Sequence, residues 1–328
     1  MTWSTTDISL LVLILIVVIA IIVVLCIPSK DFNVNTSKVS ESGKEGEWKH
    51  GTITSETKIS TASSLHAPVS TNTQPNNMSF VVIDMRSNPK QSISQEVAAV
   101  QYQLTRHFGP AYKMKCDIRE DTSISGRIPV FIVDSVSCPY KHTGIHLING
   151  HYENGSVSPN YPSPPMTIPI GSPYIILDMS EITKYDIPLS FVMSHEVLET
   201  AANPSASRLQ ENMENIFKGK LVNTTTLWYY EICDPVTDTG YYVTIGDANI
   251  KDSGSTTNTK LVVSNFVLPA WFDTVTKNQK YDYLGILSKP ATVTEGGYMG
   301  KFDVDINAVE IVGNTDITQY PINVYDLS

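Results

Sequence analysis

The chain has 328 residues, 41 % of them hydrophobic, and a formal net charge of −10 at pH 7. That length permits about two domains, and the apolar content excludes a disordered chain. An acidic chain without a Lys/Arg run argues against a nucleic-acid partner, because phosphate neutralisation needs clustered cations, and four cysteines exclude a disulfide-dense scaffold.

The first element is an uninterrupted apolar run from Leu10 to Ile27, which reaches 20 residues with Ile8 and Ser9. At ~1.5 Å rise per residue a helix of this length crosses the ~30 Å hydrocarbon core of a bilayer. No Lys or Arg precedes the run and no A-x-A site follows it, so a retained anchor over residues 1–28 fits better than a cleaved signal peptide. The expected product is a single-pass protein of a cellular or viral membrane, held in the lipid bilayer through residues 8–27. Its orientation stays open. Lys30, Lys38, Lys44 and Lys49 favour a cytoplasmic C-terminal part, while sequons at Asn35, Asn77, Asn154 and Asn223 point the other way.

Residues 29–78 are rich in Ser, Thr, Asn and Lys and poor in large apolar side chains. Such a segment cannot bury enough surface to offset chain entropy and reads as a stalk. Residues 79–328 read as one folded α+β domain. The sequence predicts a strand over 79–85, then a helix carrying Ile93, Val97, Val100, Leu104 and Phe108 on one face. Ser92 and Gln95 form a capping-box pattern at its start, and Gly109-Pro110 is expected to stop it. Strands are predicted over 112–118, 128–136, 144–148 and 173–179, with a proline-rich loop over 156–169. A helix follows over 187–202, with Asp186 as its cap, Pro188 in its first turn and Asn203-Pro204 at its end. Further strands are predicted over 228–234, 240–246, 260–267, 308–314 and 322–328.

The helix over 187–202 carries the chemistry. Its Ser194-His195-Glu196-Val197-Leu198-Glu199 segment sets His195 and Glu199 four residues apart, hence on one face. This is the H-E-x-x-H zinc motif with a carboxylate in place of the second histidine. Zinc accepts carboxylate oxygen, so His195 and Glu199 are candidate metal ligands and Glu196 the candidate general base. A third ligand is required, and Glu231, 36 residues after His195, is the first candidate, with Asp234 in reserve. His146 and His151 could also reach the site. Cys233 has only a weak claim as a ligand, and Trp271-Phe272 reads as core or pocket wall. The strand over 173–179 is expected to be the sheet edge that would receive a peptide beside the helix. No G-x-S-x-G, Walker loop or dinucleotide fingerprint supports serine-hydrolase or nucleotide chemistry.

Several motifs stand in one order: SHEVLET (194–200), NP (203–204), YEICD (230–234), VSNFVLPAWF (263–272), YDYLG (281–285) and GGY (296–298). Over roughly residues 140–303 the chain thereby resembles a bacterial and viral family with a zincin-like helix motif. The resemblance implies a zincin-like α+β domain, an active-site helix on a mixed sheet, and a zinc-dependent metallopeptidase-like activity on peptide or protein. Two positions depart from the family pattern: Asn203 and Asn265 stand where relatives carry Asp. If either Asp binds metal in relatives, this copy would be impaired. The competing expectation is a membrane-anchored structural or binding protein, such as a virus-particle component, that keeps the fold without turnover.

Overall fold

The computed structural model describes residues 77–89, 92–137, 142–150, 152–153, 156–157, 161–206, 208–211, 226–246, 258–273, 279–303, 308–314 and 321–327. The apolar run over 8–27 and the stalk up to residue 76 lie outside the described residues, as do His151 and the sequons at Asn35, Asn154 and Asn223; Asn77 and Met78, expected at the end of the stalk, belong instead to the first strand. Among the described residues no helix is long and apolar enough to cross a membrane.

The described fold is α+β. Strands β1 (Asn77–Asp84), β2 (Lys115–Glu120), β3 (Ile128–Val133), β4 (Gly144–Ile148) and β7 (Pro173–Asp178) form a five-stranded sheet in the order β2-β1-β3-β7-β4. The first four strands of that order run parallel, and β4 pairs antiparallel to β7. A two-residue hairpin, β5 (Tyr152–Glu153) with β6 (Ser156–Val157), follows β4. The inner parallel strands β1, β3 and β7 are buried on both faces, as crossover topology requires, while the edge strand β2 exposes its alternate residues. Phe80, Val82, Val130, Ile132, Ile175 and Leu177 face the helical side. Their alternates Val81, Ile83, Phe131, Leu147 and Ile176 pack under the loop that carries Ile168.

Helix α1 (Ser94–Gln103) continues through a π-helical turn, Leu104–Phe108, into α2 (Gly109–Tyr112). The helix does not stop at Gly109-Pro110 as expected. The Gly109 N–H reaches back five residues to Leu104 O, and this wide turn lets the chain pass Pro110, which has no N–H to donate. A side chain at 109 would meet Leu104 O and Met114 O, each at 2.8 Å. The helix ends instead at Lys113, in the left-handed conformation, so β2 starts three residues later than the pattern suggested. The capping box is also absent: the N-cap is Ile93, without a side-chain cap. Ser92 Oγ accepts from Ser94 N–H, and Gln95 Nε2 points to Thr259 Oγ1.

A short helix missed by the sequence reading, α3 (Met179–Lys184), follows β7 and is capped by Asp178, which accepts from the Ser180 and Glu181 N–H groups. Helix α4 (Leu189–Ala202) comes next, and its N-cap is Pro188, not Asp186. Asp186 takes φ +52° in the connecting turn. Helix α4 lacks a solvent-facing stripe because it lies between two sheets, β4 and β7 on one side and β11 (Thr259–Ser264) on the other. Two of its serines fix the second contact. Ser190 Oγ donates to Val262 O, and Ser194 Oγ accepts from Ser264 N–H.

The C-terminal half is β-rich, as expected. Strand β11 pairs antiparallel with β10 (Thr239–Ile245), which pairs parallel with β14 (Asn323–Tyr325). A four-stranded sheet orders β13 (Ala308–Gly313), β12 (Tyr298–Asp303), β9 (Thr226–Tyr229) and β8 (Leu209–Glu211). The predicted strand over 228–234 is thus cut short. Strand β9 ends at Tyr229, and a 3-10 turn spans Asp234–Val236, so Glu231 and Asp234 lie on a turning segment. Trp271 and Phe272 are core, with Trp271 Nε1 donating to Thr292 O and Phe272 stacked on Tyr230.

Candidate metal centre

Helix α4 carries His195, Glu196 and Glu199. The i, i+4 spacing brings His195 Nε2 to 3.4 Å from Glu199 Oε2. The segment after β9 returns across this face and places Asp234 Oδ1 3.3 Å from His195 Nε2. Glu231, the first candidate for the third ligand, lies instead beside His146 on β4, with its Oε2 3.3 Å from His146 Nε2. His146 Nδ1 lies 3.3 Å from Glu196 Oε2 and 3.6 Å from Glu199 Oε2. His146 therefore belongs to the site, although it lies far from the helix motif in sequence.

The edge strand is also corrected. The strand at Pro173–Asp178 is internal, between β3 and β4, and β4 is the edge beside α4. Asp178 N–H donates to Thr143 O and Asn149 N–H to Ser172 O. By antiparallel alternation the main-chain groups of Gly144, His146 and Ile148 then face away from β7, and no strand among the described residues covers them. Close approach of β4 to α4 depends on Gly144, where a Cβ would meet Glu196 Cγ at 2.7 Å and Val192 Cγ1 at 2.8 Å.

The surrounding groups anchor the outer oxygens of the carboxylates. Cys233 N–H donates to Glu199 Oε1 at 3.1 Å. Asn203 Nδ2 donates to Glu231 Oε1 at 3.0 Å, while Asn203 Oδ1 accepts from Arg208 N–H. Asn203 thus positions Glu231, a role that its reading as a departure from the family pattern did not reveal. Asn265 lies elsewhere, bonded to Asp282 and Thr239, so it is outside the metal cluster. Cys233 presents its backbone to Glu199, while its thiol lies near His195 O and is pushed up by burial and by the Glu199 charge. Tyr298, the tyrosine of the GGY motif, lies at the start of β12. Burial, then the Asp234 and Glu199 charges, raise its phenol well above the usual range.

Glu196, Glu199 and Asp234 are all buried, and no Lys or Arg pairs with them or with Glu231 among the described residues. Burial pushes Glu199 and Asp234 up, against the opposing pull of His195. Burial alone would lower both imidazoles, but the carboxylates outweigh it: Glu231 and Glu196 raise His146, and Glu199 and Asp234 raise His195. Even with both imidazoles protonated, four carboxylates leave a formal charge of −2, which favours a bound cation.

Two atoms fit that requirement directly. His146 Nε2 and Glu231 Oε2 are buried without a hydrogen-bond partner, although they face each other. Two groups of side chains can hold a metal ion: His146 with Glu199 and Glu231, and His195 with Glu199 and Asp234, each with its ligand atoms within 4.8 Å of one another. His195 Nε2 lies 3.4 and 3.3 Å from its two carboxylate partners and His146 Nε2 3.3 Å from Glu231, close to the ligand–ligand edge of about 3.4 Å around a tetrahedral ion with ~2.1 Å bonds, and the other pairs lie within 4.8 Å.

No protein-family model matches the chain, and no curated protein and no solved structure matches it.

Proposed function

We propose that the protein is a zinc-dependent, zincin-like hydrolase acting on peptides, anchored to a membrane through residues 8–27. The observation that carries this reading is the convergence of His195, Glu199 and Asp234 on one point, with Glu196 beside them on the same helix. The antiparallel edge strand β4 next to α4 supports the zincin-like reading, since it offers a peptide the main-chain groups of Gly144, His146 and Ile148.

In this reading His195, Glu199 and Asp234 hold the ion, which supplies Lewis acidity toward a carbonyl oxygen and acidifies water. Glu196 accepts the proton of the attacking water and delivers it to the departing amine nitrogen. His146, through Nδ1, holds Glu196 in place at 3.3 Å. A substrate strand added to β4 sets the scissile carbonyl over α4, and the buried walls exclude bulk water.

The test combines elemental analysis with a peptide-library assay on the full chain. His195→Ala is expected to release the ion held with Glu199 and Asp234. Glu196→Gln is expected to keep zinc and lose cleavage, because a general base need not be a ligand. Absence of zinc in the purified protein, with a melting temperature indifferent to chelation, would sink the site. Bound metal without any cleavage would favour the non-catalytic, particle-component role.

A further inference from the structure

We propose that the centre holds two divalent cations side by side, with Glu199 shared between them. One is held by His195, Glu199 and Asp234, the other by His146, Glu199 and Glu231. This extends the hydrolase reading above from one ion to two and rests on it.

The two triads share Glu199. Its Oε2 lies 3.4 Å from His195 Nε2 and 3.6 Å from the near edge of the His146 ring, at Nδ1. Its other oxygen is taken by the Cys233 N–H, so Oε2 is the one left to bridge. Glu231 is arranged in the same manner, with Oε1 held by Asn203 and Oε2 turned inward without a hydrogen-bond partner.

His146 is oriented for the role of a ligand. Its Nδ1 lies 3.3 Å from Glu196 Oε2 and its Nε2 3.3 Å from Glu231 Oε2, so the tautomer that donates from Nδ1 presents the Nε2 lone pair to Glu231. A carboxylate behind an imidazole is the usual outer support of a metal-binding histidine.

Charge gives the same count. Glu196, Glu199, Glu231 and Asp234 carry a formal −4, which two divalent ions balance with both imidazoles neutral. The mixed imidazole and carboxylate donors suit Zn²⁺, Mn²⁺ or Fe²⁺. Ions that share a carboxylate sit ~3.5–4 Å apart, close enough for magnetic coupling.

The experiment uses the full chain, purified in mild detergent and stripped with chelator. Titration with Mn²⁺, followed by calorimetry and electron paramagnetic resonance, is expected to give two equivalents and a spin-coupled spectrum. His146→Ala and Glu231→Gln should each lower the count from two to one and leave an uncoupled six-line signal. His195→Ala should also leave one equivalent. Circular dichroism checks that each variant is folded, and Glu231→Gln, which keeps its shape, decides if His146→Ala is not. One equivalent in the unaltered protein, unaffected by Glu231→Gln, overturns the second ion and leaves the one-ion hydrolase standing. No bound metal at all overturns both.

Discussion

The side-chain amide of Asn203 donates to Glu231 Oε1 at 3.0 Å across the C-terminal end of α4. The same residue accepts the Arg208 N–H through Oδ1, so it ties the chain leaving the helix to a carboxylate of the metal cluster. Asn203→Asp keeps the second bond and loses the first, setting two carboxylates against each other. The expected outcome is a metal-free protein that melts at a lower temperature, with most of the loss recovered when metal is added. Asn203→Ala should weaken metal affinity by ~10–100-fold, the usual cost of removing a group that orients a ligand. Thermal melts with and without chelator, and a metal titration, check both. An unchanged affinity in Asn203→Ala would show that Glu231 needs no such support.

Asn265 has a different fate. Its Nδ2 donates to Asp282 Oδ2 at 2.8 Å and to Thr239 Oγ1, all fully or nearly fully buried. Asn265→Asp would bury two carboxylates face to face and cost at least ~2 kcal/mol at neutral pH. The loss should shrink as pH falls, because one shared proton restores the hydrogen bond. Metal stoichiometry should not change. Denaturant unfolding at several pH values, with metal analysis alongside, tests this.

Gly144→Ala is expected to disturb the site without touching a ligand. The new methyl would come within 2.8 Å of Glu196 Oε1 and of Val192 Cγ1. Overpacking of this kind costs about 1–3 kcal/mol, and the forced movement falls on the proposed base. Retained metal with strongly reduced turnover is the expected result, and full activity would argue against Glu196 as the base.

His107 offers a pH dependence remote from the metal centre. Its ring stacks on Tyr283, meets Tyr102 edge-on, and shares a hydrogen bond with Tyr241 OH at 2.9 Å. Burial pulls its pKa from 6.5 down to about 4. The unfolded chain therefore binds this proton more readily than the folded one. The His107 contribution is fully present above pH ~6.5 and is lost as pH falls toward the folded value. Stability curves of the unaltered protein and of His107→Gln should converge by several tenths of their separation between those limits. A separation constant with pH would refute the assignment.

How much of this was legible beforehand depends on the range of the interaction. The unbroken apolar runs Phe80–Ile83 and Val130–Ile132 report strands covered on both faces, and the i, i+4 pair His195–Glu199 reports a shared helical face. Both are set within a few residues of the chain, so they can be read from the sequence. The helix ends were less legible. Passage through Gly109-Pro110 depends on a π turn, and the N-cap at Pro188 depends on α3 having formed just before it.

By itself the sequence determined the α+β class, the helix with its His-Glu-x-x-Glu face, the candidacy of Glu231 and Asp234, and an apolar run over 8–27 long enough for a bilayer. Tertiary structure alone decided which carboxylate meets which histidine. Asp234 closes on His195 because a 3-10 turn follows β9, and Glu231 turns to His146 because β4 lies at the sheet edge against α4. The pairing of β4 with β7, across the hairpin and the proline-rich loop, sets that edge. Spacing along the chain carries no trace of it, because non-local strand order follows from how the whole sheet closes over its core and not from any local period.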